Sequence, residues 1–121
     1  DMNSKMLATN ALDQKLIDKA TEIIEANIEN VEFNINDFAH EMAMSRTNLF
    51  KKMKAITGQT PNDFIMTIRL KKGAYLLRNN PDLSIADIAD CTGFASSKYF
   101  SKCFTEMYKK RPSAYRADRT K

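Results

Sequence analysis

A segment of this chain occurs twice, and a repeat of that kind narrows the fold more than any composition figure can. Residues Asp37–Met53 read DFAHEMAMSRTNLFKKM, and Asp87–Phe104 read DIADCTGFASSKYFSKCF. Asp37, Phe38 and Ala39 fall on Asp87, Ile88 and Ala89 at an offset of 50. Past the turn the offset is 51, so Ser45 falls on Ser96, Leu49 on Phe100, Lys51 on Lys102 and Met53 on Phe104. Each copy has the outline of a short helix, a tight turn and a longer helix, which is a helix-turn-helix. Between the copies, Thr60–Asn79 reads as one continuous helix. Thr60 and Asp63 form a T-x-x-D capping pattern, Pro61 takes the first helical position, and Asn79, Asn80 and Pro81 stop it.

The predicted fold is therefore all-α, with about seven helices: two helix-turn-helix subdomains joined by a central linker helix. The expected divisions are a linker or disordered segment over 1–11, a domain over 12–116 and a frayed tail over 117–121. Within the domain, the first lobe is placed at 12–58, the linker helix at 60–79 and the second lobe at 83–116. Only three glycines and three prolines in 121 residues agree with a helical chain, and 43% hydrophobic residues can supply its core.

Before the first copy, Leu16, Ile17, Ala20, Ile24 and Ile28 recur at helical steps, with Asp13 as the expected N-cap. Asn34, Ser45, Ser84 and Ser96 are expected to cap the four helices of the repeat. Leu49, Met53 and Ile56 define the buried side of the first copy's longer helix, leaving Arg46, Thr47, Phe50, Lys51 and Lys54 outward. In the second copy Phe100, Cys103, Phe104 and Met107 form the inward stripe, and Ser97, Lys98, Ser101, Lys102 and Thr105 face out with Tyr99 at the boundary. Phe50 either tucks against the rim of the core or meets a thymine methyl. In the linker helix the inward set is Phe64, Ile68, Ala74, Leu76 and Leu77, while Arg69, Lys71, Lys72 and Arg78 read as solubilising charges, with DNA contact as the alternative. Gly73 inside that helix suggests the close approach of another backbone.

Charge separates along the chain. Residues 1–40 carry three basic and eight acidic side chains, and residues 41–121 carry sixteen basic and seven acidic ones. Nine excess positive charges over the second part indicate a basic binding face, for which nucleic acid is the commonest partner. The rival reading is a helical protein-interaction module without DNA binding, docking through Phe50 and its neighbours. Catalysis is not expected: the sequence has no paired-carboxylate cleft, no nucleophile with a base and no Gly-rich phosphate loop. Two cysteines and one histidine cannot complete the usual four-ligand zinc site, so neither metal nor cofactor is expected. Unpaired cysteines suit a reducing cytoplasmic setting, and no apolar run reaches membrane-spanning length.

GFASSKYFSKCFTEMYKKRPSAYR (Gly93–Arg116) resembles the C-terminal signature of the AraC/XylS family of bacterial transcription regulators. MSRTNLFKKMKAITGQTPNDFI with the following I-R-L is similar to that family's first recognition helix and linker helix, so the likeness covers residues 13–116. A narrower similarity, resting on MSR…LFKKMKAITGQTPNDFI and KYFSKCF, is to the output domain of hybrid two-component sensors of Bacteroides-type bacteria. The resemblance implies double-stranded DNA as partner, with one helix of each unit in the major groove. It implies base contacts from Arg46, Thr47, Phe50, Lys51, Ser97, Lys98, Tyr99 and Lys102. Phosphate contacts are expected from Ser45, Lys54, Ser96, Ser101, Lys109, Lys110, Arg111 and Arg116. Arg46, at a helix start, suits either a guanine edge or a phosphate. RNA polymerase and the regulatory domains of a parent chain stand as further partners. The isolated domain is expected to be a monomer that makes no membrane contact. A dimeric parent, or one anchored in the inner membrane, is left open. Two departures from the family are Ala43 and Lys109, where glycine is usual. At Ala43 either the turn is built differently or the chain accepts strain.

Overall fold

The computed structural model describes the backbone of residues 2–118 and the side chains of residues 10–118. Seven helices follow one another: α1 (Met2–Ala26), α2 (Ile35–Glu41), α3 (Arg46–Thr57), α4 (Pro61–Asn79), α5 (Ile85–Cys91), α6 (Ser97–Tyr108) and α7 (Pro112–Ala117). No strand occurs among the described residues. The contacts divide the chain into two units, the first taking residues up to Ala26 and Phe33–Phe64, the second taking Asn27–Glu32 and everything from Ile65 onward.

The caps form as the sequence predicts. Asn34 and Ser84 each close a full capping box, with Asp37 and Asp87 returning the bond to the cap's own N–H. Ser45 accepts from Asn48 N, Ser96 from Tyr99 N, and Thr60 from Asp63 N, each at 3.1 Å. Each hydroxyl satisfies one of the four N–H groups that a helix start leaves unpaired.

Helix α1 corrects the expectation of a linker over 1–11 and of a cap at Asp13. It begins at Met2 and runs through both. Residues 2–12 contain no glycine or proline, and two Met, two Leu, two Ala and one Lys are among them, so an existing helix extends through them at little cost. The helix ends at Ala26, before Ile28. The frayed tail expected over 117–121 lies, from Arg119 on, outside the described residues, and Ala117 closes α7.

Buried apolar side chains of the first unit are Ala20, Ile24, Phe33, Phe38, Ala39, Met42, Leu49 and Met53. All but Phe33, in the connection before α2, and Met42, its C-cap, come from α1, α2 and α3 at helical spacing, and α2 packs against both of the others. The second unit is built around aromatic rings. Phe94 meets Phe100 edge-on at 5.2 Å, Phe104 stacks on Tyr108 at 4.5 Å, and Tyr115 meets Phe104 edge-on at 5.2 Å. That stacking centres the inner face of α6 on Phe100, Phe104 and Tyr108. Met107, expected inside, is 37% exposed, and Cys103 is only partly covered.

One further expectation, the inward set, changes along α4. The helix runs from Pro61 to Asn79 as expected, with its first turn in the first unit and Ile65 onward in the second. Its inner face is Ile65, Arg69, Leu70, Gly73, Ala74, Leu76 and Leu77, while Phe64 and Ile68 are half-covered. Arg69 sits at the i, i+4, i+7 spacing of Gly73 and Leu76, so a charged residue occupies a core position that a hydrophobicity pattern skips. Gly73 makes room for a ring: a Cβ there would lie 2.7 Å and 2.9 Å from two atoms of Phe100.

Both departures from glycine carry left-handed backbone. Ala43 has φ +57° and Lys109 φ +62°, while Gly58 and Gly93, at +78° and +77°, hold the conformation without a Cβ. The chain accepts strain at Ala43. Ala43→Gly is therefore expected to raise unfolding free energy by about 1 kcal/mol in urea titration. At the equivalent turn of the second copy, a Cβ on Gly93 would lie 1.6 Å from Arg69 Nη1 and 2.5 Å from Ile28 O. Gly93→Ala should accordingly destabilise by more than about 2 kcal/mol in the same titration.

Candidate nucleic-acid interface

In both copies the longer helix turns one side to the core and leaves the other in solvent. On α3, Leu49 and Met53 are fully buried and Arg46, Thr47, Lys51 and Lys54 are exposed. On α6, Phe100 and Phe104 are fully buried and Ser97, Lys98 and Lys102 are exposed. Two aromatic rings stand out on these polar faces, Phe50 at 48% exposure and Tyr99 at 47%. Phe50 thus leaves the rim of the core. All eight side chains expected at base edges lie on an exposed face.

Tyr99 leans its ring on Phe94 at 5.9 Å. Its phenol is held above the ordinary value, chiefly by its hydrogen bond to the Cys103 sulfur and the charge that sulfur can carry.

The expected phosphate contacts divide into free and engaged groups. Ser45 and Ser96 accept the capping bonds already described and keep their own O–H proton to donate. Lys109 and Arg111 are exposed, and Ser101 is half-covered. Lys54 reaches back to Gly58 O at 3.1 Å, where it also meets the negative end of α3. Lys110 is paired with the Asp118 carboxylate. Arg116 is a correction: its guanidinium turns inward, donating to Leu77 O at 2.9 Å and Asn80 O at 3.3 Å. Leu77 O, in the last turn of α4, has no helical partner because Pro81 lacks an N–H, and the forked donor of Arg116 fills it; Asn80 O, just past the helix, also accepts from Leu83 N. Arg78, read as a solubilising charge, lies over the Tyr115 ring at 3.9 Å.

The repeat also runs further than sequence reading carried it. A groove in the first unit is lined by Ile35, Thr47, Phe50, Lys51, Pro61 and Asn62. A groove in the second unit is lined by the equivalent Ile85, Lys98, Ser101, Lys102, Pro112 and Ser113. The 51-residue offset persists through Gly58 and Lys109, Pro61 and Pro112, and Phe64 and Tyr115. Those matched prolines were the signal for it. Each longer helix thus flanks the same kind of cleft, walled by the start of the short helix before it and the start of the helix after it. Among the described residues, no group of three His, Cys, Asp or Glu side chains could hold a metal. None of the described helices is long and apolar enough to cross a membrane.

Two helix-turn-helix units, each with a cationic and hydroxyl-bearing outer face, define a DNA-binding class of domain. The family model described as "Helix-turn-helix domain" matches residues 38–118. The chain belongs to the AraC-type family of helix-turn-helix domains, and it is a DNA-binding domain of the kind found in transcription regulators. It is 44% identical over 109 residues to a protein named Histidine kinase P4 from Formosa agariphila, covering 90% of this chain and 8% of that one. A solved AraC-type regulator from Chromobacterium violaceum matches with a TM-score of 0.81 at 29% identity, over 92% of this chain and 97% of that one. The DNA-binding domain of the transcriptional factor AdpA, solved in complex with a target DNA, matches with a TM-score of 0.73 at 25% identity, over 87% and 89%. The chain spans 8%, 30% and 32% of the first curated relatives it matches.

If Arg116 serves the frame, Arg116→Gln should lower unfolding free energy by about 1 kcal/mol, because it removes the donor to the half-buried Leu77 carbonyl. The same variant should leave the salt dependence of DNA binding unchanged, as a titration over several salt concentrations would read.

Proposed function

We propose that this domain is the output of a bacterial transcription regulator and that α3 and α6 each enter a major-groove segment of one operator. The bases are read by Arg46, Thr47, Phe50 and Lys51 from the first unit and by Ser97, Lys98, Tyr99 and Lys102 from the second. Ser45, Lys54, Ser96, Ser101, Lys109, Lys110 and Arg111 take backbone phosphates. The observation that carries this reading is the matched exposure of the two outer faces in a chain of this family. The AdpA domain, which is similar over most of its length and was solved on a target DNA, supports it.

The chemistry of the two faces assigns different tasks. An amine or guanidinium at Lys51, Lys102 or Arg46 can donate to the O6 and N7 of guanine, and the Phe50 ring offers apolar contact to a thymine methyl. Phosphate contacts fix register and raise affinity through counterion release without carrying sequence. Two successive major-groove segments on one face of a duplex lie about 34 Å apart, and a closer spacing would bend the DNA at a cost of about 1–6 kcal/mol.

The parent protein is proposed to be a hybrid two-component sensor whose last segment is this domain. The 44% identity to a protein named as a histidine kinase, of which this chain spans 8%, supports that placement. In such a chain the catalytic steps belong to other domains, and this one works in the cytoplasm on promoter DNA. RNA polymerase and the parent's regulatory domains are its proposed protein partners.

Selection from a random duplex library, followed by gel-shift titration, tests the reading directly. Two conserved sequence boxes about one helical turn apart are expected, and binding without sequence preference would overturn it. On the selected duplex, Lys51→Ala or Lys102→Ala should cost about 1–3 kcal/mol and relax preference within one box. Phe50→Ala should relax a thymine in the first box only. Lys109→Ala should weaken all duplexes alike and reduce the salt slope by about one unit.

A further inference from the structure

Arg69 lies on α4 with only 5% of its surface exposed. Its Nη1 donates to Ile28 O at 2.5 Å and Thr92 O at 2.8 Å, and its Nη2 donates to Asn30 O at 3.0 Å. All four residues belong to the second unit. No carboxylate pairs with Arg69 among the ion pairs of the described residues. Burial pulls its pKa down, but a guanidinium starts so far above neutrality that the group stays charged. A buried charge of this kind is tolerated because carbonyl dipoles surround it, one of them at the C-terminal end of α5.

The place of those carbonyls gives the group a role beyond stability. Thr92 is the C-cap of α5, and Gly93 follows it in the turn that leads to α6. The same Nη1 occupies the space where a Cβ of Gly93 would lie. Thr92 itself is fully buried, its hydroxyl donating to Ile88 O at 2.7 Å. One guanidinium therefore sets where the turn sits, and the turn sets where the first residues of α6 begin. Three of those residues, Ser97, Lys98 and Tyr99, are in the proposed base-reading set. At the equivalent turn of the first copy, the Ala43 N–H donates to His40 O just as that of Gly93 donates to Asp90 O, but Ala43 is exposed and carries its Cβ in solvent.

We infer that Arg69 is a positioning residue for the second recognition helix alone: by pinning the Thr92–Gly93 turn, it holds α6 in the one orientation that reads the second DNA box. This rests on the two-box reading above. Lysine cannot substitute, because a single ammonium cannot span three carbonyls held in a planar fork. Without the pin the turn samples other conformations, and apparent affinity for the second box falls with the fraction of competent molecules.

The test uses the whole chain and the selected two-box duplex, with base-resolved footprinting of each box. Arg69→Ala is expected to weaken protection of the second box by about tenfold or more while the first box keeps its protection. Millimolar guanidinium ion, which fits the vacated space and offers the same donors, should restore the second box. In the free protein, hydrogen exchange should quicken at the amides of Thr92–Lys98 and stay unchanged at those of Met42–Thr47. Equal loss of both boxes, no loss at either, or no guanidinium rescue would overturn the inference. Should Arg69→Ala fail to fold, Arg69→Lys is read in the same way: selective loss at the second box supports the inference, and an unchanged footprint or a second unfolded protein refutes it. If the unaltered protein protects a single box, the two-box reading fails. The exchange measurement then still judges the pin, because it needs no DNA.

Discussion

A single buried cation organises the second unit. Arg69 brings three backbone carbonyls to one point, two from the segment that follows α1 and one from the turn between α5 and α6. Sequence-distant strands of backbone that no hydrophobic contact would register so closely are thereby fixed to each other. Desolvating a charge is costly, and each carbonyl gives back part of that cost through a charge-assisted bond. The arrangement leaves no slack: the turn must carry glycine at position 93, since any side chain would collide with the guanidinium. Gly93 and Arg69 are in effect one constraint written at two places in the chain.

The two copies of the helix-turn-helix solve one geometric problem with different residues. Each needs left-handed backbone twice, in the turn and at the end of the longer helix. In the first copy alanine takes the turn and glycine the cap; in the second, glycine takes the turn and lysine the cap. Each copy thus has one unstrained and one strained position. Which position receives the glycine follows from space as well as from φ. Around Gly58 a Cβ would meet nothing within 4 Å, so φ alone favours glycine there. At position 93 the guanidinium forbids a side chain outright, and the strain is borne at Lys109, where the lysine is exposed.

Much of this architecture was legible because it follows local rules. Capping serines, the Thr60–Pro61 helix start and the apolar faces of α3 and α5 depend on neighbours in sequence, and the offset of 50 to 51 residues exposed the duplication. The outer residues of both longer helices followed from the same periodicity once the inner ones were known. What escaped depends on contacts between distant positions. Arg69 reads as a surface charge until its three carbonyl partners are seen, since none lies nearer than 23 residues away. The inner face of α6 rotates toward Tyr108 because of a ring that comes from α7, and Arg116 turns inward because α4 ends beneath it. The start of α1 escaped for a different reason, as an amphipathic pattern is not required where good helix formers merely extend a helix already nucleated.

Charge counting shows where such reading overreaches. Sixteen basic residues lie in the second part of the sequence, but they are not equally available to a polyanion. Arg69, Arg78 and Arg116 serve the second unit from within, through carbonyls or a ring face, and Lys110 faces Asp118. The lysines of α3 and α6 are exposed. The division follows the chemistry of the two side chains: a planar fork with fixed donors suits carbonyls and aromatic faces inside a protein, whereas a strongly hydrated ammonium on a flexible stem stays in water. A DNA-binding surface on this domain is therefore mainly a lysine surface, completed by Arg46 and Arg111. Its field is weaker than the sequence total implies. Discrimination must then rest on where a few side chains are held, which returns the burden to the turns that aim the two helices.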